Sequence, residues 1–442
     1  MSMNASPPTE VRLRWAPGWV LAFVALWPLP GPAETVLSLG AILALGALAY
    51  HRFRGGMTLL SHEAWALTTV LFLSYWLPEV ISAPDAINPA RAVRESLLDL
   101  RYLPFLWLVA IAVADERGRR LTFGGLGVIM AVWTLDALVQ AVFDTSPIFF
   151  ALNELKQLIS GKDLCAKPDM AALGRVSGVL GPCNLKLGLV LASLSPFLLY
   201  LAAKRFGVVG WCVAAAAVGL VILMAGARAA WITFTLVLVF SGWRLLGWKR
   251  LALTFAFGAV SVVALGLGSP QVRERLERTT QALSADTAGM DVALSGRTRI
   301  WAAAWCMATR HPVNGVGARG FRKAFPDCDP NAEVEAEWGK GTAYHAHQIV
   351  LEVLSETGLI GLLLWLSGAA MAWRAWRFAS EAARERARPA MLALAVTVFP
   401  FNTHLAFYSS FWGGLTLLLA ALYAGSLLAS GRVGDTPADA GT

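Results

Sequence analysis

The sequence predicts an all-α, polytopic integral membrane protein of about twelve transmembrane helices, with a large, mostly helical loop on its outer side. Three observations carry this reading. Hydrophobic residues make up 57% of the 442-residue chain and charged residues only 15%, too apolar a balance for a soluble protein. The apolar residues are blocked into runs of about 20, the length that crosses a bilayer. The basic residues fall in short loops between alternate runs, the pattern that orients membrane proteins.

The opening MSMNASPPTEVRLR precedes an apolar run without a small-residue cleavage site, so it reads as a cytoplasmic tail and the run as a first span. Spans are expected at roughly 15–31, 33–50, 60–80, 97–114, 121–143, 184–203, 207–226, 229–247, 251–268, 348–373, 389–408 and 410–430. With the N-terminus inside, HRFRGG (51–56), DERGRR (115–120), AKR (203–205), GWKR (247–250) and RAWRFASEAARERARP (374–389) become cytoplasmic loops, short and basic as the positive-inside rule asks. Twelve crossings return the C-terminus to the same side. Eighteen tryptophans suit a chain with many membrane–water boundaries. The net charge of +8 is accounted for by these orienting loops, so no nucleic-acid partner is expected.

The whole chain, 1–442, reads as one integral domain without internal repeats. Three longer segments fall on the outer side: 81–96, 144–183 and 269–347. The last is too long to be a mere connection and is expected to be functional. Within it, RERLERTTQALSA (273–285) has the pattern of an amphipathic helix, and TRIWAAAWCMATR (298–310) that of a second helix lying along the membrane interface. Of five cysteines, Cys212 falls inside a span, and Cys165, Cys183, Cys306 and Cys328 fall in outer segments where disulfides are permitted. Four cysteines allow three pairings, of which Cys165–Cys183 with Cys306–Cys328 is the most local, and free thiols remain an alternative.

The stretch GTAYHAHQIVLEVLSETGLIG (341–361) is the candidate catalytic edge. His345 and His347 stand just before an apolar run from Ile349 that reads as a helix, with Glu352 and Glu356 four apart on one face. The amides at a helix N-terminus disfavour imidazolium, so a histidine there stays neutral, the form a general base needs. The alternative is that the histidines only cap or anchor the helix. Arg228, in the bare hairpin AGARAAW, is costly at membrane depth unless an anion meets it, and a guanidinium fork matches phosphate oxygens. Snorkelling or structural pairing is the alternative there. Arg297 and Arg299 open the helix that leads to HPVNGVGARGF. Arg94, Arg101, Arg175 and Lys186 are further outer cations that could meet phosphate, lipid headgroups or nearby carboxylates.

Three signals are set aside. Gly315-x-Gly317-x-x-Gly320 matches a dinucleotide fingerprint but lacks the βαβ unit around it, so it reads as a turn that folds the loop back. Asp327-Cys328-Asp329 is a short acidic pair of a kind common on solvated loops, and His345-x-His347 lacks a third ligand at metal spacing. No metal and no cofactor are therefore expected. The sequence holds no Walker A loop, so the energy of any reaction must come from the substrate itself.

His347-Gln348, nine residues, then Gly358-x-x-Gly361 resembles the motif of the O-antigen ligases, a His followed by Asn, Ser or Gln, nine positions, then Gly-x-x-Gly, Thr or Tyr. Arg228 at an outer hairpin, and Arg297 a few residues before a tryptophan and a His-Pro, glycine-rich turn, resemble the same ligase and polymerase superfamily. The resemblance runs from about Cys183 to Gly361. It implies a metal-independent, inverting glycosyltransferase of a Gram-negative inner membrane, its site facing the periplasm. The donor would be O-antigen on undecaprenyl diphosphate and the acceptor lipid A–core oligosaccharide, completing lipopolysaccharide. His347 would be the base and Arg228 and Arg297 the diphosphate ligands, with His345, Arg299, Arg101, Arg175, Lys186 and Gln348 binding substrate. An O-antigen polymerase or a protein O-oligosaccharyltransferase is the nearest alternative, and a lipid-linked glycan flippase, with Asp136 as its most obvious intramembrane charge, is the alternative from another class.

Overall fold

The computed structural model describes residues 13–55, 59–166, 174–268, 296–334, 338, 341–400, 402 and 406–429. Among them the only regular structure is helical. The helices are α1 (Ala16–Ala25), α2 (Pro30–Gly55), α3 (His62–Ser82), α4 (Pro89–Asp99), α5 (Tyr102–Ala114), α6 (Glu116–Phe143), α7 (Pro147–Ser160), α8 (Leu187–Ala225), α9 (Arg228–Gly268), α10 (Arg297–Arg310), α11 (Phe321–Cys328), α12 (Ile349–Phe378), α13 (Glu381–Thr397) and α14 (Ser410–Leu427). Small polar residues punctuate them. Ser61, Asn88, Asp115, Ser146, Ser380 and Ser409 each accept a hydrogen bond from the amide three residues on, satisfying donors that a new helix leaves bare.

Among the described residues, eight helical runs are long and apolar enough to cross a membrane. Two of them are helix pairs. At 39 residues α8 would be about 58 Å long if straight, nearly twice the ~30 Å hydrocarbon layer. It breaks at Gly207 (φ 63°, ψ −147°), and α9 breaks likewise at Gly247 (φ 72°, ψ 164°). The halves fall on the spans expected at 184–203, 207–226, 229–247 and 251–268. The chain is thus a multi-pass, all-α membrane protein.

Buried residues of the bundle form one large core, with α14 at its centre and α2 at its periphery: 89% of the apolar window of α14 is buried against 28% of that of α2. α14 packs on α3, α5 and α13, and α3 packs along α12.

Several boundaries differ from expectation. The first span ends at Ala25 and a short turn leads into α2 at Pro30, because proline is accommodated in a first helical turn. The fourth breaks after Asp99, so Arg101 becomes the residue before α5 rather than part of one long helix. The stretch 374–389, expected as a loop, is mostly helix: α12 runs to Phe378, Ser380 caps α13, and a two-residue turn joins them. Pro389 is tolerated inside α13.

The loop helix α10 forms where TRIWAAAWCMATR was expected to be helical. Its Ile300, Ala303, Ala304 and Met307 stripe packs with Phe321, Phe325, Ala343 and Ala346 into a small core of its own, leaving Trp305 exposed. The loop therefore has a folded nucleus seated on α12. The expected helix at 273–285 lies outside the described residues. Both local disulfides are present, Cys165–Cys183 and Cys306–Cys328, with Cα atoms 5.6 and 5.7 Å apart, and Cys212 is free. GVGARG is a turn: Gly320 donates its amide to the Gly317 carbonyl at 2.9 Å.

Candidate active site

The site is built on the start of α12. Gln348 caps the helix, its Oε1 accepting the Leu351 amide at 2.5 Å, while its Nε2 donates to the Pro400 carbonyl at 3.0 Å. This fixes the helix end against the chain that follows α13. Just before the cap, His347 holds φ +54°, a left-handed conformation that most side chains avoid and that marks a conformation imposed by its surroundings. Ala343 and Ala346 are buried in the loop nucleus and pin the 341–348 strap.

The glycines of the motif have a packing role. After Gly358 (φ 64°) the helix is re-entered, and the freed amides of Leu359 and Ile360 donate to Pro312 and Val313 at 2.8 and 3.3 Å, while Val316 donates to the Ser355 carbonyl at 2.9 Å. A Cβ at Gly358 would collide with the Val313 carbonyl, so only glycine lets the loop seat here. The nine-residue spacing from His347 to Gly358 thus sets the distance between the histidine and the loop's anchor.

Around the strap the cations gather. The rings of His345 and His347 lie against each other with centroids 4.0 Å apart and planes tilted by 46°. Burial, then the charges of Lys186 and Arg297, hold the His345 pKa down at about 4. Its Nε2 is buried and accepts or donates no hydrogen bond among the described residues. Burial and the neighbouring charge of Arg228 lower Arg297 to about 10. Lys186, just before α8, is also lowered by burial and lies over the Phe411 ring, 4.4 Å from its centroid. Four chain segments spread between residues 186 and 347 therefore bring Lys186, Arg228, Arg297 and His345 with His347 into one electrostatic neighbourhood. Arg175 is placed beside it, since the Val176 amide donates to Met224 at 3.3 Å, at the hairpin that carries Arg228.

Arg299 and Arg101 face elsewhere. Arg299 grips Asp329 with two N–H donors at 2.6 and 2.7 Å and also donates to the carbonyls of Asn331 and Val334. That bond first of all holds the Asp329 carboxyl below its usual range. Arg101 donates to Ser38 at 3.2 Å and pairs with Glu34, tying α5 to α2. Arg94 is exposed on α4. Among the described residues no three His, Cys, Asp or Glu side chains are grouped to hold a metal. Asp136 caps the entry to α7, accepting from the Ser146 hydroxyl at 2.6 Å and the Ile148 amide at 2.9 Å.

One element of the site's framework went unread in the sequence. Arg319, at φ +59°, reaches Glu95, Asp99 at 2.8 Å and the Tyr408 carbonyl at 2.5 Å, and its own amide donates to Glu356 at 2.7 Å. Glu356 also accepts from the Phe321 amide, and Glu352 from that of Tyr408. A single residue thus joins α4 and the α13–α14 connection through its guanidinium and α12 through its amide. The signal was available, because acidic residues inside apolar runs demand a partner.

Fold and site together define a multi-pass membrane protein with a cationic, histidine-bearing cluster where its loop meets the bundle. Residues 212–366 match the family model described as O-antigen ligase. The matched span contains Arg228, Arg297, Arg299, His345, His347 and Gln348, while Arg101, Arg175 and Lys186 precede it. No curated protein matches the chain.

Proposed function

We propose that this protein is a ligase that moves O-antigen from undecaprenyl diphosphate to lipid A–core oligosaccharide, at the periplasmic face of a Gram-negative inner membrane. The observation that carries it is the neutral His345 in ring contact with His347 within the field of Lys186 and Arg297, with Arg228 adjoining. The short basic loops, read as cytoplasmic under the positive-inside rule, support an outer position for this site.

In the reaction, a hydroxyl of the acceptor sugar attacks the anomeric carbon and His347 takes its proton. The bond from that carbon to the diphosphate oxygen breaks with inversion, and the diphosphate leaves with its electron pair. Arg228 and Arg297 stabilise the charge growing on it, and Lys186 and Arg175 add to the field. Each preorganised donor is worth roughly 3–4 kcal/mol and the base about 10²–10⁴-fold, so no metal is required. His345 and Gln348 position His347, and Arg299 holds the loop that carries the strap. Arg101 stands apart from this machinery.

Purified protein given lipid-linked donor with either lipid A–core or O-antigen as acceptor tests the assignment. Product on lipid A–core alone supports the ligase, and chain growth on O-antigen alone replaces it with a polymerase. Arg228→Ala and His347→Ala are each expected to abolish transfer while the protein stays in the membrane; normal transfer by either removes its assigned role. A flippase would instead move donor only across a sealed bilayer and join nothing in detergent.

A further inference from the structure

We infer that Tyr344, backed by Arg322, is a sugar-stacking platform that holds the glycan next to the unit that reacts. This rests on the glycosyl-transfer reading above. Residues of the strap alternate in direction: Ala343 and Ala346 are buried, His345 turns into the cation cluster, and Tyr344 turns out, 65% exposed. An aromatic ring so exposed on the loop nucleus is not there for packing. It is nonetheless fixed, because the Arg322 guanidinium lies over it, 4.3 Å from the ring centroid. Arg322 comes from α11, next to the buried Phe321, and is itself exposed. Among the described residues no carboxylate pairs with it and nothing hydrogen-bonds the Tyr344 hydroxyl.

One apolar ring face, a hydroxyl at its edge and a fork of N–H donors beside it match the amphipathic shape of a pyranose. Its C–H face stacks on the ring and its hydroxyls or carboxylate meet the fork. A rigid tyrosine gives this contact at small cost in side-chain freedom. Position argues for the glycan over other ligands. Tyr344 is one residue from His345 and three from His347, so its Cα lies at most about 11 Å from that of the proposed base. A lipid carrier held by the cations directs its sugars past this strap.

The sugar could belong to donor or acceptor, and kinetics on the full-length protein separate them. In Tyr344→Ala, the KM for one glycan is expected to rise roughly tenfold, the loss falling on KM rather than kcat, with Tyr344→Phe close to wild type and Arg322→Ala intermediate. A rise confined to the donor places the donor chain on the ring, and one confined to the acceptor places the core sugars there. Unchanged KM for both, or a loss confined to kcat, overturns the platform. Saturation-transfer NMR with free O-antigen oligosaccharide and free core oligosaccharide reads the same contact without catalysis. Protein that joins no glycan yet binds one through Tyr344 would sink the transfer reading and leave the platform standing, whereas binding unchanged in Tyr344→Ala would sink the platform alone.

Discussion

His345 offers the sharpest test of the site's electrostatics. An ordinary histidine titrates near 6.5, whereas burial and the charges of Lys186 and Arg297 hold this one at about 4. A depressed folded pKa means that the unfolded chain binds the proton first. Stability is therefore whole above pH 6.5 and is lost as pH falls toward 4. The full gap is worth roughly 3 kcal/mol, and about 2 kcal/mol of it is gone by pH 5. Replacing His345 by Gln removes the titrating group, so the fall in thermal midpoint between pH 6.5 and 4 should flatten in that variant. The direct assay is NMR of isotope-labelled histidines in nanodiscs, with the His345 signal among the six histidines assigned by its loss in His345→Gln. A midpoint near 4 is expected, and His345 should contribute nothing to the acidic limb of the transfer rate above pH 5. A midpoint at or above 6.5 would mean that this ring is neither buried nor faced by the cations, and the proposed site would lose its basis.

Two further predictions concern the loop. Arg299 and Asp329, with side chains 11% and 9% exposed, form a nearly buried pair, so removing either leaves the other uncompensated at about 3 kcal/mol. A double-mutant cycle should show the Arg299→Ala, Asp329→Ala double variant no less stable than either single; additive losses would mean the pair is not coupled. The Cys306–Cys328 bridge closes a loop of 22 residues, worth about 3 kcal/mol by chain entropy. Replacing both cysteines by Ser should lower the thermal midpoint and abolish the effect of reductant on this loop, and an unchanged midpoint would show that the nucleus of α10 and α11 holds without it.

The sequence by itself determined the class of fold, since runs of apolar residues can be satisfied in a bilayer only as helices, and loop charge sets their direction. It also located the histidines before α12 and the turn at GVGARG, because each of these is encoded within a few residues of chain, whereas the choice of the local disulfides over other pairings or free thiols came from the fold. Tertiary structure decided which cations share the site. Arg297 and Arg299 look alike in SGRTRIW, yet one faces Arg228 and the other closes on Asp329, thirty residues away. Direction around a helix separates them, and the partner that fixes it comes from elsewhere in the chain. The same holds for Arg319, whose carboxylate partners lie on α4 and α12, and for Gly358, whose need for glycine comes from the Val313 carbonyl pressed against it. Local pattern records how a segment meets solvent or lipid. Pairing of charges across 100 or more residues depends on where the packed helices bring them, and no spacing rule in one chain carries that information.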